Sequence, residues 1–133
     1  MSFLDTFAEN LATHAGKPLI TEVHGPTLVA ATGGDLAALI ARARGGLRGR
    51  GLKPGDRVVL IAPNGARWVA ADLAVLFEGA IVAPMYARQD PRELVAMMVD
   101  CGPTLVVTAT AELALTITEH WPEAPVLLYD DLF

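Results

Sequence analysis

The chain has 133 residues, a formal charge of −5 at neutral pH and 53% hydrophobic residues, the size of one ordinary domain able to bury about two-thirds of its unfolded surface. Its ten Lys and Arg form no basic run, which argues against a nucleic-acid footprint or a polybasic membrane patch. A single cysteine, Cys101, rules out an internal disulfide; the first residues carry Asp5 and Glu9 where a secretory signal would be basic, and no apolar stretch reaches membrane-spanning length, so a cytoplasmic location is expected.

Phe3, Phe7 and Leu11 recur at four-residue spacing, which predicts an amphipathic helix from Leu4 to His14. Leu19 to Val23 and Leu28 to Ala31, separated by His24-Gly25-Pro26-Thr27, predict a small antiparallel hairpin. Thr32-Gly33-Gly34-Asp35 has the Ser/Thr-x-x-acid form of a helix start. Leu36, Leu39, Ile40 and Leu47 carry that helix to an end marked by Gly49 and Gly51. Pro54-Gly55-Asp56 predicts a rigid turn: Pro54 fixes φ, Gly55 tolerates a positive φ, and Asp56 can bond the turn backbone. Val58 to Ala62 reads as a strand covered on both faces. Asn64 reads as a helix N-cap, opening a helix from Arg67 to Glu78 that is apolar nearly all round.

Ile81 to Pro84 predicts another strand, and Pro91 opens a helix at its favoured first position. On that helix Leu94, Met97, Met98 and Cys101 are expected to face a sheet together. Leu105 to Thr108 predicts a strand, Ala111 to His120 a helix, and Val126 to Tyr129 a last strand before Asp130-Asp131. Strand and helix thus alternate from residue 57 onward, the pattern of right-handed crossovers. The expected fold is a three-layer α/β unit with a mostly parallel sheet, helices on both faces, and a small N-terminal β-hairpin. Its parallel strands lie near 57–62, 81–84, 104–108 and 125–129.

Gly51-Leu52-Lys53-Pro54-Gly55-Asp56-Arg57-Val58, Pro63-Asn64-Gly65-Ala66-Arg67-Trp68 and Gly79-Ala80-Ile81-Val82-Ala83-Pro84 together carry a resemblance, continued by Asp90-Pro91-Arg92-Glu93-Leu94 and by the run from Asp100 to Thr108. They resemble the N-terminal subdomain of the AMP-forming acyl-CoA synthetases, a superfamily that also holds luciferases and peptide-synthetase adenylation domains. The likeness covers roughly residues 17–110. Within it, Pro84-Met85-Tyr86 looks like the long-chain fatty-acid branch. Two positions depart from the family pattern. Arg67 stands where Glu usually precedes the tryptophan, and Gly33 replaces a tyrosine, so a packing anchor is missing and a looser helix start is expected.

The resemblance implies a parent enzyme that joins a fatty acid to ATP as an acyl-adenylate and passes the acyl group to the thiol of coenzyme A. ATP, Mg and CoA are implied for the parent. The family's phosphate loop ending in Pro-Lys-Gly, its later acidic motif and its C-terminal lysine are not in this sequence. Residues 1–133 are therefore expected to be an N-terminal subdomain, inactive alone, whose partner is the remainder of the parent polypeptide. No catalytic, cofactor-binding or metal-binding residue is assigned. The 53% hydrophobic composition further predicts that apolar surface left open by a missing remainder will self-associate or bind dye. Two alternatives stand beside this reading: a free-standing α/β ligand-binding or regulatory module, and the N-terminal part of an aryl-CoA ligase or peptide-synthetase adenylation domain.

Other residues invite functional readings. The only lysines are Lys17 and Lys53, the second in a turn before a strand and expected to point to solvent. The glycines from Gly45 to Gly51 fit neither phosphate-loop spacing and read as a helix end. Asp130 and Asp131 follow a strand, where ligands bind open sheets, but lack a second acidic pair. Trp68, Met85 and Tyr86 are open to two readings, part of a pocket in the complete enzyme or core, and the aromatic-plus-Met pattern favours core; Cys101 reads as a buried structural thiol, and His14, His24 and His120 have no metal-ligand spacing.

Overall fold

Four short apolar strands form the central sheet of the computed structural model, which describes residues 1–133. They are β3 (Arg57–Ile61), β4 (Ile81–Pro84), β5 (Leu105–Thr108) and β6 (Val126–Leu128), all parallel in the order β4-β3-β5-β6. Ahead of them come α1 (Phe3–Thr13), the antiparallel ribbon of β1 (Pro18–His24) and β2 (Thr27–Thr32), and α2 (Gly33–Gly49). Each later strand is followed by a helix: α3 (Ala66–Phe77), α4 (Pro91–Cys101), α5 (Ala111–His120) and the short α6 (Tyr129–Leu132). No helix is long and apolar enough to cross a membrane.

Alternation along β3 and β5 splits the core in two. Val58, Leu60, Leu105 and Val107 face Leu36, Ile40, Ala43 and Leu47 of α2 and the alanines of α3, in a cluster of 19 buried residues. Val59, Ile61 and Val106 face Leu94, Val95 and Met98 of α4 and Ile117 of α5, in a cluster of only 7. The sheet is thus sandwiched between helices, as the sequence predicts. Alanines at positions 70, 71 and 74 let α3 lie close against both sheet and α2. A charged clamp ties the two helices: Arg44 Nε donates to Glu78 Oε1 at 2.5 Å and Arg48 Nε to Oε2 at 2.8 Å. The Arg48 hydrogen bond is the main reason the Glu78 carboxyl titrates below its ordinary range, with Arg44 adding to it against the opposing effect of burial.

The turn at Pro54 forms as expected. Gly55 has φ +86° and its N–H donates to Gly79 O at 2.9 Å, while Asp56 Oδ2 accepts from Lys53 N–H at 2.8 Å.

Three local expectations are corrected. Met97 is 40% exposed; the buried face of α4 is Leu94, Val95 and Met98, with Cys101 half-buried. The true stripe runs 94, 95, 98, and Met97 lies a helical step outside it. The last strand stops at Leu128, and Tyr129 opens α6 with its ring buried against the large cluster.

The start of α2 is tight instead of loose. Thr32 and Asp35 form a complete capping box, and the Gly33 and Gly34 N–H groups donate to Lys17 O and Ala15 O at 3.1 and 2.9 Å. Gly33 is buried under the end of α1: a Cβ there would stand 2.6 Å from His14 O and 2.9 Å from Leu11 O. The absent side chain is what lets the two helices meet, so losing the tyrosine anchor gains a close backbone contact.

Candidate functional site

In an open parallel sheet, ligands settle outside the carboxyl ends of the strands where successive crossovers part in opposite directions. Here α3 carries the chain from β3 to β4 on one side, and the next crossover returns past β3 to β5 on the other. The parting lies between β3 and β5. A cleft of about 1010 Å³ opens there, lined by the loops after β3, β4 and β5. Ala62, Trp68, Pro84, Met85 and Leu113 supply apolar surface, and Asn64, Tyr86, Arg88, Thr110, Glu112 and Thr116 supply polar groups. A second cavity of about 220 Å³ between α1 and α2 is almost wholly apolar, and its one cation, Arg44, is already held by Glu78.

The cleft gathers Trp68, Met85 and Tyr86, for which the sequence offers a pocket wall and core and favours core. Trp68 and Met85 are half-buried, but Tyr86 is 81% exposed beside Arg88. An exposed aromatic ring next to a guanidinium can stack on a planar group and face an anion. Asn64 also lines the cleft and does not cap α3. The chain extends one residue further, so Gly65 becomes the N-cap, and the Glu22 carboxylate from β1 packs on it, its Cδ 3.1 Å from where a Cβ would be.

Helix N-termini at this edge of the sheet are natural anion sites, but none is open to an anion. Asp90 Oδ1 accepts from the Arg92 and Glu93 N–H groups of α4 at 2.9 and 3.4 Å. Thr110 Oγ1 accepts from Leu113 N–H of α5 at 3.2 Å. At α3 no side chain caps the helix, but the Glu22 carboxylate packs against the Gly65 N-cap and disfavours an anion there.

The remaining singled-out residues do not join the cleft. Lys53 precedes β3 at the opposite, amino end of the sheet, and Lys17 is exposed before β1. The glycines 45–49 belong to α2, with Gly46 close against Leu132. Asp130 and Asp131 are exposed in α6, Asp131 lying 3.8 Å from Arg50. His14 Nδ1 is 2.9 Å from Asn10 O, His24 Nε2 is 3.8 Å from Glu22, and His120 closes α5. Arg67, the departure from the family pattern, reaches back to the chain end, its guanidinium 5.5 Å over the Phe133 ring.

Residues 7–131 match the family described as AMP-binding enzyme. The chain belongs to that family. It is 34% identical over 94 residues to the feruloyl-CoA synthase of Amycolatopsis sp, a match that takes in 71% of this chain and 18% of that one. With the pyochelin synthetase PchE of Pseudomonas aeruginosa it is 38% identical over 77 residues, 58% of this chain and 5% of that one. Among solved structures, the N-terminal domain of FACL13 from Mycobacterium tuberculosis superposes with a TM-score of 0.80 at 24% identity, over 99% of this chain and 35% of that one. The chain therefore spans about a fifth of the feruloyl-CoA synthase. These relatives include a feruloyl-CoA synthase and a pyochelin synthetase, so the family match does not single out the long-chain branch.

The groups that the AMP-binding family implies, ATP with Mg and CoA, can be tested against the residues present. A triphosphate needs several free backbone N–H donors and a lysine or arginine converging on them. Here Asp90 and Thr110 already accept from the first N–H groups of α4 and α5, the Glu22 carboxylate lies against the start of α3 where it repels an anion, and Arg88 is the one cation lining the cleft, the lysines lying away from it. A triphosphate cradle does not fit this part of the molecule.

Proposed function

We propose that this chain is the N-terminal subdomain of an AMP-forming ligase of the cytoplasm, which activates a carboxylic acid with ATP and transfers the acyl group to coenzyme A. In the first step a carboxylate oxygen attacks the α-phosphorus and pyrophosphate leaves. In the second, the CoA thiolate attacks the acyl carbon and AMP leaves. Residues 1–133 act as a scaffold that does no chemistry alone, and their cleft contributes one wall to the ligand site of the whole enzyme. The family match over residues 7–131 carries the reading, and the capped N-termini of α4 and α5 support the scaffold role. Pro84-Met85-Tyr86 favours a long-chain fatty acid, whereas the likeness to feruloyl-CoA synthase favours an aryl acid.

Two measurements test this. Calorimetric titration of the 133-residue protein with ATP and Mg is expected to give no saturable heat. The product of the full reading frame is expected to release AMP with CoA and at least one acid from a panel of fatty and hydroxycinnamic acids. Each missing group that stabilises developing charge is worth about two to three orders of magnitude in rate, so the short protein should show no turnover. Stoichiometric ATP binding by the short protein overturns the scaffold reading, and a longer product inert toward every acid overturns the ligase reading.

A further inference from the structure

A ribbon lying on a protein usually turns its apolar side inward and its polar side to water. The β1–β2 ribbon keeps Ile20 and Ala31 on its inward side but leaves apolar side chains on its outward side as well. Its pairing sets Val23 opposite Leu28 and Thr21 opposite Ala30 on one face, and Glu22 opposite Val29 and His24 opposite Thr27 on the other. The face with the ionisable groups is turned to the body: Ile20, which shares it, packs on the large core cluster, and Glu22 rests on Gly65. The uncharged face points away, with Val23 71% and Leu28 68% exposed.

A two-stranded ribbon is marginal in water by itself, and both outer edges of this one are unpaired. The ends of the parallel sheet are better guarded. β4 finishes on Pro84, which has no N–H to offer, and β6 is three residues long.

The size of the uncharged face selects its occupant. Its few side chains offer roughly a few hundred Å², well short of the ~800 Å² per partner that holds two free molecules together. A covering segment tethered in the same polypeptide needs far less area, because its effective concentration is in the millimolar range for a short linker. AMP-binding relatives carry several times more polypeptide than the part this chain matches. We propose that the outward face of the β1–β2 ribbon seats an apolar strand-forming segment of the same ligase polypeptide, lying outside residues 1–133; this rests on the ligase reading above.

Amide hydrogen exchange of residues 18–32 in the 133-residue protein and in the full reading frame product, each at two protein concentrations, tests it. Exchange is expected to slow by at least about tenfold in the longer protein, equally at both concentrations. A Val23→Lys/Leu28→Lys variant should reverse that slowing; if the variant does not fold, the comparison of the unaltered proteins decides. Equal exchange in the two proteins, protection that fades on dilution and so marks a second copy, or a reading frame that ends at Phe133 overturns the proposal. AMP release from the same longer preparation separates the failures: an active enzyme with an unprotected ribbon defeats only the docking, and an inert one with a protected ribbon defeats only the ligase assignment.

Discussion

Replacing Gly33 by Ala is the sharpest probe of how α1 seats on α2. The new Cβ would stand 2.6 Å from His14 O and 2.9 Å from Leu11 O, where a carbon meets a carbonyl oxygen comfortably at about 3.3 Å or more. Both obstacles are backbone atoms, so relief requires the end of α1 to withdraw by roughly 0.5–1 Å. That shift strains the bonds from Gly33 and Gly34 N–H to Lys17 O and Ala15 O. Overpacking of this kind costs about 1–3 kcal/mol. At this chain length each kcal/mol moves Tm by roughly 3–5 °C, so a mid-range penalty of about 2 kcal/mol predicts a fall of about 6–10 °C in thermal denaturation followed by far-UV circular dichroism. Gly45 is the internal control. It is exposed within the same helix, with nothing within 4 Å of a Cβ, so Gly45→Ala should stabilise by about 0.5–1 kcal/mol. If Gly33→Ala leaves Tm unchanged, or raises it as Gly45→Ala does, the close approach of α1 is not real and the account of the α2 start fails.

The Glu78 clamp has a pH signature. Its carboxyl is held below the ordinary 4.5 chiefly by the Arg48 hydrogen bond, so its stabilisation is whole above about pH 4.5 and drains away as pH falls through the lower folded-state value. Melts between pH 3 and 7 should show Glu78→Gln less stable than the parent at neutral pH, with the gap closing in acid; a constant gap would count against the ion pairs. The buried hydroxyls of Tyr129 and Thr108 have no hydrogen-bond partner, and burial raises the Tyr129 phenol above its ordinary 10. Tyr129→Phe and Thr108→Val should therefore be neutral or stabilising by up to about 1 kcal/mol. A drop in Tm of several degrees in either variant would reveal a partner.

The elements were legible because their signals are local. Pro54-Gly55-Asp56 could hardly be anything but a turn, and the apolar run at Val58 could only be covered on both sides. What crosses between elements was not. Nothing in the residues says that β3 lies between β4 and β5, so the cleft could not be placed, and the aromatic-plus-Met pattern favours core for Tyr86, which stands in the open. Gly33 looked like a missing side chain because the carbonyls facing it come from another helix. Asn64 had the right chemistry for a cap, but the cap position is set by where the chain bends, one residue later. On α4, Met97 is as apolar as its neighbours, and only packing against β3 and β5 decides which three of them are buried. Arg67 gained a meaning only when the chain end was seen beside it.

The central place of β3 bears on how the molecule is made. β3 pairs with β4 along one edge and with β5 along the other, and Leu105 comes 44 positions after Ile61. At about 5–20 residues per second on the ribosome, the chain spends roughly 2–9 s with β3 emerged and the second edge of Val58–Ile61 still waiting for its neighbour. That edge is an uncharged, apolar run with three β-branched residues, the kind most prone to pair with the wrong chain. Synthesis is thus the period in which this fold is most exposed to aggregation, and the delivery of β5 is the event that ends it.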